Sequence, residues 1–338
     1  MVARGPVSGA AAVTILRLGH VEFRVSDLGR ARAFYVDLLG FVETAQDRER
    51  IYLRGLEERE HHSLTLRRAG TPGVSHFAFR VAAEEDLDRL HGRCAQAGLP
   101  VRWIEPGTEE GQGRALRVQD PSGLPVEFYH RMEQVERRLQ RFDLYRGPHI
   151  MRIDHVNAQV PDVQRAYDWY TAEWGFGCAE YTETEDRPPR LWAAWLHRKQ
   201  TVHDIAIMNG TGPRVHHAGF WVPDALAVLR ACDILAGAGW QEAIERGPGR
   251  HGLSNALFVY LRDRDGNRIE LYAGDYLIAD PDWAPVRWSI NDPRRATFWG
   301  HVPPKSWFDE AARVESITDG TLLEPRAPLL TDRPSFVT

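Results

Sequence analysis

The chain of 338 residues repeats itself, and no other feature constrains its fold as strongly. The segment from His20 to Asp27, continuing through Tyr35 to Gly40-Phe41, returns 135 positions later as His155 to Asp162, Tyr170 and Gly175-Phe176. Ser75-His76-Phe-Ala-Phe79-Arg-Val81 returns 141 positions later as His216-His217-Ala-Gly-Phe220-Trp-Val222. Asp120-Pro-Ser-Gly123-Leu-Pro-Val-Glu127-Phe-Tyr129 returns 143 positions later as Asp263-Arg-Asp-Gly266-Asn-Arg-Ile-Glu270-Leu-Tyr272. An offset that grows this slowly means small loop insertions between two homologous modules, 16–130 and 151–275. An extension, 1–15, precedes them, a linker, 131–150, joins them, and a Trp- and Pro-rich tail, 276–338, follows.

Each module divides again. Four segments share a short alternating strand, an amphipathic helix and a Gly followed by an apolar residue: Gly40-Phe41, Gly98-Leu99, Gly175-Phe176 and Gly239-Trp240. A helix C-terminus favours a left-handed residue at such a place. Leu28, Ala31, Leu38 and Leu39 fall on one face of the first helix, and Leu87, Leu90, Cys94 and Ala97 on one face of the second. Stretches such as Val21 to Val25 and Phe258 to Leu261 read as strands, and Asp120 and Asp263 as the starts of hairpin turns. The unit is βαβββ, used four times. The expected class is α+β, with two units per module forming one curved sheet, helices outside and a half-open barrel inside.

Composition removes several classes of function. With 42 basic and 47 acidic residues, a net charge of -5, the chain lacks the cationic field that nucleic acid or an anionic membrane requires. Three cysteines, Cys94, Cys178 and Cys232, are odd in number and form no CxxC, so a reducing cytoplasm is expected. The apolar stretch Gly9 to Leu16 is short and runs into a strand pattern, which argues against an export signal.

The conspicuous polar residues on strands of the second module are His155, His217 and Glu270. Side chains from different strands converge on the concave face of a curved sheet without any local motif. Two imidazoles and one carboxylate make the facial triad of non-haem iron oxygenases, whereas an isolated strand histidine is ordinarily a hydrogen-bonded structural residue. His217 is preferred to its neighbour His216 because it aligns with His76.

The surroundings of this triad are more specific. His155-Val-Asn157, His197-Arg-Lys-Gln-Thr-Val-His203-Asp204, His216-His217, Arg246-Gly-Pro-Gly-Arg-His251-Gly, Tyr260 and Glu270-Leu-Tyr272 resemble the extradiol ring-cleaving catechol dioxygenases of the vicinal oxygen chelate superfamily, over about residues 15–300. The resemblance implies tandem vicinal oxygen chelate modules of the glyoxalase/bleomycin resistance/dioxygenase fold, a catalytic C-terminal module and a divalent iron or manganese ion. It also implies a substituted catechol and O2 as reactants, and a homo-oligomer, often a tetramer. By position, His155, His217 and Glu270 would hold the metal. His203 would move protons to and from the catechol, Tyr260 would hydrogen-bond a catechol oxygen, Asn157 would face the O2 side, and His251 would close over the ring. Arg246, Arg294 and Arg295 resemble the arginines that read a substrate carboxylate, as in 3,4-dihydroxyphenylacetate, and Trp192 would wall the ring. Outside this resemblance, Tyr260 and Trp192 read as core residues, and His203, His251 and the arginines as surface residues.

The first module departs from what the family implies, a module without its metal site, because His20, His76 and Glu127 align with all three ligands and His62 with His203. Arg117 stands where Tyr260 would be, so the residues read as relics or a cryptic metal site. The tail carries Trp283, Trp288, Trp299 and Trp307 without helical or strand period and is expected to lie across the second module as a lid or subunit contact. Two other classes share the fold, a metal-dependent isomerase or epimerase and a non-enzymatic binding protein. The first needs another base set, and the second ordinarily lacks the ligands.

Overall fold

A computed structural model describes residues 13–336 of the chain. Of the expected extension 1–15, residues 1–12 lie outside the described residues. Four βαβββ units follow one another. The first holds β1 (Ile15–Val25), α1 (Leu28–Arg32), β2 (Val42–Gln46), β3 (Arg50–Arg54) and β4 (Leu64–Arg68). The second holds β5 (Gly73–Val81), α2 (Glu84–Gln96), β6 (Val101–Ile104), β7 (Ala115–Gln119) and β8 (Pro125–Tyr129). The third holds β9 (Arg152–Val160), α3 (Val163–Asp168), β10 (Gly177–Glu183), β11 (Leu191–His197) and β12 (Ile205–Asn209). The fourth holds β13 (Arg214–Trp221), α4 (Ala225–Gly237), β14 (Ile244–Arg250), β15 (Leu257–Arg262) and β16 (Arg268–Ala273).

Each module is one sheet built by one rule. The first strands of its two units pair antiparallel, β1 with β5 and β9 with β13, and each unit's last strand pairs parallel with its own first strand. The orders are β2-β3-β4-β1-β5-β8-β7-β6 and β14-β15-β16-β13-β9-β12-β11-β10. The tail extends the second sheet with β17 (Val286–Ser289), parallel to β10, and β18 (Ala312–Arg313), on β13. It also forms α5 (Pro293–Ala296) and α6 (Lys305–Asp309). This corrects the reading of a tail without secondary structure: elements of two to five residues are too short to show a period and take their order from their neighbours.

The local signals fold largely as their chemistry dictates. Asp27 and Asp162 cap α1 and α3 by accepting from the backbone N–H of Arg30 and Arg165. Gly40, Gly98, Gly175 and Gly239 have φ of 75°, 72°, 69° and 77°, the left-handed closure expected of them. Two helices differ from expectation. After Arg32 the first continues as wider π turns over Ala33–Leu38, so Phe34 and Tyr35 turn inward while Leu38 stays half-buried. The stripe of α2 is buried at Leu87, Leu90 and Cys94, but Ala97 is exposed because the helix ends at Gln96.

The modules meet through pairs that the repeat relates to one another. Phe41 packs on Phe220 with ring centroids 4.9 Å apart, and Phe176 on Phe79 at 5.2 Å. The Tyr35 hydroxyl donates to Asp263 across the interface at 3.0 Å, and that of Tyr170 to Asp120 at 3.2 Å. Both aspartates are the hairpin residues seen in the sequence, each also accepting backbone N–H groups of its own turn. One carboxylate thus closes a turn and ties the modules. A single apolar core runs through both.

Candidate active site

The site lies on the concave face of the second sheet. His155 and Asn157 come from β9, His217 from β13 and Glu270 from β16, and all are buried. Gly219 pairs with both His155 and Glu270 across its two neighbouring strands, and a Cβ there would meet the His155 ring at 2.2 Å. That position is therefore restricted to glycine by the imidazole lying over it.

The His155 and His217 Nε2 atoms are 3.3 Å apart, and Glu270 Oε2 lies 3.0 Å from the first and 3.2 Å from the second. Ligand atoms at ~2.0–2.2 Å from one ion would be spaced in this way. The donor set, two imidazoles and one carboxylate meeting at one point, fits a divalent first-row metal with positions left for other ligands. His155 is also held from behind. Its Nδ1 lies 3.1 Å from Asp154 Oδ2, and Thr201 donates to the other oxygen of Asp154. Lys199 Nζ donates to the carbonyls of Asp154 and His203 and to Asp204, stitching the β11–β12 loop to β9.

The structure brings the expected residues around this point. His203 is buried on the β11–β12 loop, its ring centroid 4.0 Å from that of His155, with no hydrogen bond at Nδ1. Burial and the neighbouring His155 push it well below the ordinary histidine range, so it rests neutral rather than near its usual value. Tyr260, on β15 opposite Glu270, has its hydroxyl 3.0 Å from His251 Nε2. Burial first, then Glu270, raises its phenol well above the usual value and keeps it a donor. His251 is buried rather than a solvent-exposed loop residue, because its Nδ1 engages the Ala296 carbonyl of the tail and its ring stacks on Phe258 at 3.8 Å. The Asn157 Oδ1 faces this space without a partner.

The three arginines separate. Arg295 is 3% exposed in the cavity wall, stacked over Trp192 at 5.0 Å, with Nε and Nη2 unpartnered. Arg246 lies behind the wall among Phe258, Tyr260 and Trp307, bound through Nη2 to Ala296 and Thr297, with Nε and Nη1 unpartnered. Both are pushed down to about 10, Arg246 by burial and Arg295 by burial and then by Arg246. Arg294 does not belong here. Its guanidinium folds back on Asp292, the cap of α5, at 2.8 Å and points to solvent. In a helix of one turn, consecutive residues face different ways, and only Arg295 turns inward.

The cavity is lined by the ligand residues, Asn157, His203, His251, Tyr260 and Arg295, and by Trp192, Trp195, Met208, Leu253, Trp307 and Phe308. The tail therefore lies over the site with Arg295, Ala296, Trp307 and Phe308. The sequence reading missed Asp154, Lys199 and the part played by His216, whose Nε2 engages the Trp307 carbonyl and so anchors the tail.

The sequence model of the Glyoxalase/Bleomycin resistance protein/Dioxygenase superfamily matches residues 17–128 and 152–271, and the chain belongs to that superfamily. The manganese-dependent 2,3-dihydroxybiphenyl 1,2-dioxygenase of Geobacillus genomosp. 3 is 34% identical over 299 residues, 84% of this chain and 93% of that one. A metapyrocatechase of Pseudomonas sp. strain CF600 is 32% identical over 84% of this chain and 94% of its own. A variant of homoprotocatechuate 2,3-dioxygenase from B. fuscum in complex with HPCA superposes with a TM-score of 0.92 at 38% identity, covering 97% of this chain and 90% of that one. The homoprotocatechuate 2,3-dioxygenase of Arthrobacter globiformis gives 0.90 at 39%, covering 95% and 98%. Within the superfamily the chain is an extradiol ring-cleaving dioxygenase, acting on a catechol and O2 with a divalent iron or manganese ion. No helix among the described residues is long and apolar enough to cross a membrane.

Proposed function

We propose that the substrate is a catechol carrying a carboxylate side chain, 3,4-dihydroxyphenylacetate, cleaved beside its hydroxylated carbons to 5-carboxymethyl-2-hydroxymuconate semialdehyde. The observation that carries this reading is the buried guanidinium of Arg295 in the cavity wall, with Nε and Nη2 unpartnered. A buried cation without an acid is costly, and a bound carboxylate would answer it, with Arg246 adding positive charge from behind the wall. The similar B. fuscum and Arthrobacter enzymes are homoprotocatechuate dioxygenases, which supports the same substrate, while the sequence relatives act on other catechols.

His155, His217 and Glu270 would hold the divalent ion, which when bound would supply Lewis acidity for the catechol hydroxyls. The remaining work falls to side chains. His203, neutral at rest, takes a proton at an imidazole nitrogen as the catechol binds and gives it back as the ring opens. Tyr260 donates to a ring oxygen where charge develops, with His251 keeping its hydroxyl oriented. Asn157 borders the O2 side, and Trp192 holds the ring plane beside Arg295. Both oxygen atoms enter the product. The working unit is a homo-oligomer, a tetramer on family expectation.

The test is steady-state O2 uptake and yellow ring-fission product with 3,4-dihydroxyphenylacetate, 4-methylcatechol and 2,3-dihydroxybiphenyl. The carboxylated catechol should have the highest kcat/KM, and a preference for either uncharged catechol overturns the assignment.

A further inference from the structure

The N-terminal module carries a second ligand cluster that the ring-cleavage reaction does not use. His20, His76 and Glu127 occupy the positions of the catalytic triad on β1, β5 and β8, and Glu109 enters from the β6–β7 loop. All four are fully buried. The His20 and His76 Nε2 atoms are 3.1 Å apart, against 3.3 Å for His155 and His217. His20 Nε2 lies 3.4 Å from Glu127 Oε1, and His76 Nε2 3.3 Å from Glu109 Oε1. These are the edges of a polyhedron whose centre would sit at ~2.0–2.2 Å from each atom.

Two atoms without a hydrogen bond border the cluster. Glu109 Oε2 and His62 Nε2 are buried, 3.5 Å apart, and have no hydrogen bond. Arg117 donates to Glu109 Oε1 and Glu127 Oε2 with its Nη2 3.4 Å from His76 Nε2, and the other two oxygens, Glu109 Oε2 and Glu127 Oε1, lie 3.7 and 3.4 Å from His20 Nε2. Gln112 donates to Glu127 Oε1 and holds that carboxylate in place.

We propose that His20, His76, Glu109 and Glu127 bind a second divalent first-row cation, and that this ion is structural. Its four protein ligands are one more than the catalytic centre has, and structural sites are the ones closed by protein ligands. No ligand is exposed, and Arg117 stands where the second module has the donor Tyr260, so a catechol has neither room nor partner.

The test is metal content per chain of the purified holoenzyme after saturation with Mn(II), with anomalous diffraction from its crystals above and below the metal edge. Two ions per chain are expected, with the second anomalous peak among His20, His76, Glu109 and Glu127. Glu109→Gln should fall from two ions to one while keeping catechol-dependent O2 uptake. The wild-type map decides the matter if that variant fails to fold. One ion per chain, with the only peak at His155, His217 and Glu270, overturns the proposal and leaves Arg117 as the cation of the cluster.

Discussion

The two modules of this dioxygenase share strand order, cap residues and three ligand positions, yet one holds an open cavity and the other a sealed cluster. The difference comes from a handful of side chains. Tyr260, a neutral donor facing the cavity, becomes Arg117, bound to two carboxylates. The loop that supplies His251 in the second module supplies Glu109 in the first, which closes the centre. Asp154, which orients His155, becomes Gly19, and His20 Nδ1 is left without a partner. A Cβ at Gly19 would fall 2.0 Å from the Tyr129 hydroxyl, so no side chain can be restored there without moving that ring. A duplicated scaffold has thus kept its ligands while separating a site that must admit a substrate from one that must not.

The proton and hydrogen-bond donors give the sharpest contrast. Tyr260→Phe should lower kcat by about 10²–10³-fold, and His203→Ala by about 10²–10⁴-fold, with metal content unchanged. Single-turnover kinetics would check both. His62→Ala, at the place of His203 in the first module, should leave turnover as it is.

A smaller effect is expected at the carboxylate. Arg295→Ala removes charge-assisted hydrogen bonds of ~1.5–3 kcal/mol, so KM for 3,4-dihydroxyphenylacetate should rise by about 10- to 100-fold. The KM for 4-methylcatechol should not move, and an equal rise for both substrates would show that Arg295 only shapes the cavity. Behind the metal, Asp154→Asn should weaken metal affinity by about 10- to 100-fold while leaving KM for the catechol at saturating metal near its original value. Competition with a metallochromic chelator reads this directly. The smallest change is expected at the module interface, where Tyr35→Phe deletes the hydroxyl bonded to Asp263. A loss of ~1–2 kcal/mol in urea unfolding is expected, with activity retained below the transition.

Much of this was legible in the chain because duplication writes the fold twice. Slowly growing offsets placed His155, His217 and Glu270 on strands equivalent to those of His20, His76 and Glu127, and a sheet with side chains of period two brings them together. The hairpin aspartates were legible as turn formers, but not as ties between modules, since contacts across 228 positions leave no local pattern. Asp154 was illegible because neighbours on a strand are expected to face apart. Glu109 was illegible because it sits in a loop whose counterpart in the second module carries His251 rather than a carboxylate. Arg294 and Arg295 were inseparable in sequence, since a one-turn helix decides which of them faces in. The tail hid its strands because each is borrowed from an edge of the second sheet.

The central claim is that ring cleavage belongs to the second module alone. Catechol-dependent O2 uptake by Glu270→Gln and Glu127→Gln, each confirmed as folded by circular dichroism, tests it most directly. Glu270→Gln should consume no O2, and Glu127→Gln should turn over at the wild-type rate. An active Glu270→Gln, or a folded but inert Glu127→Gln, would contradict it.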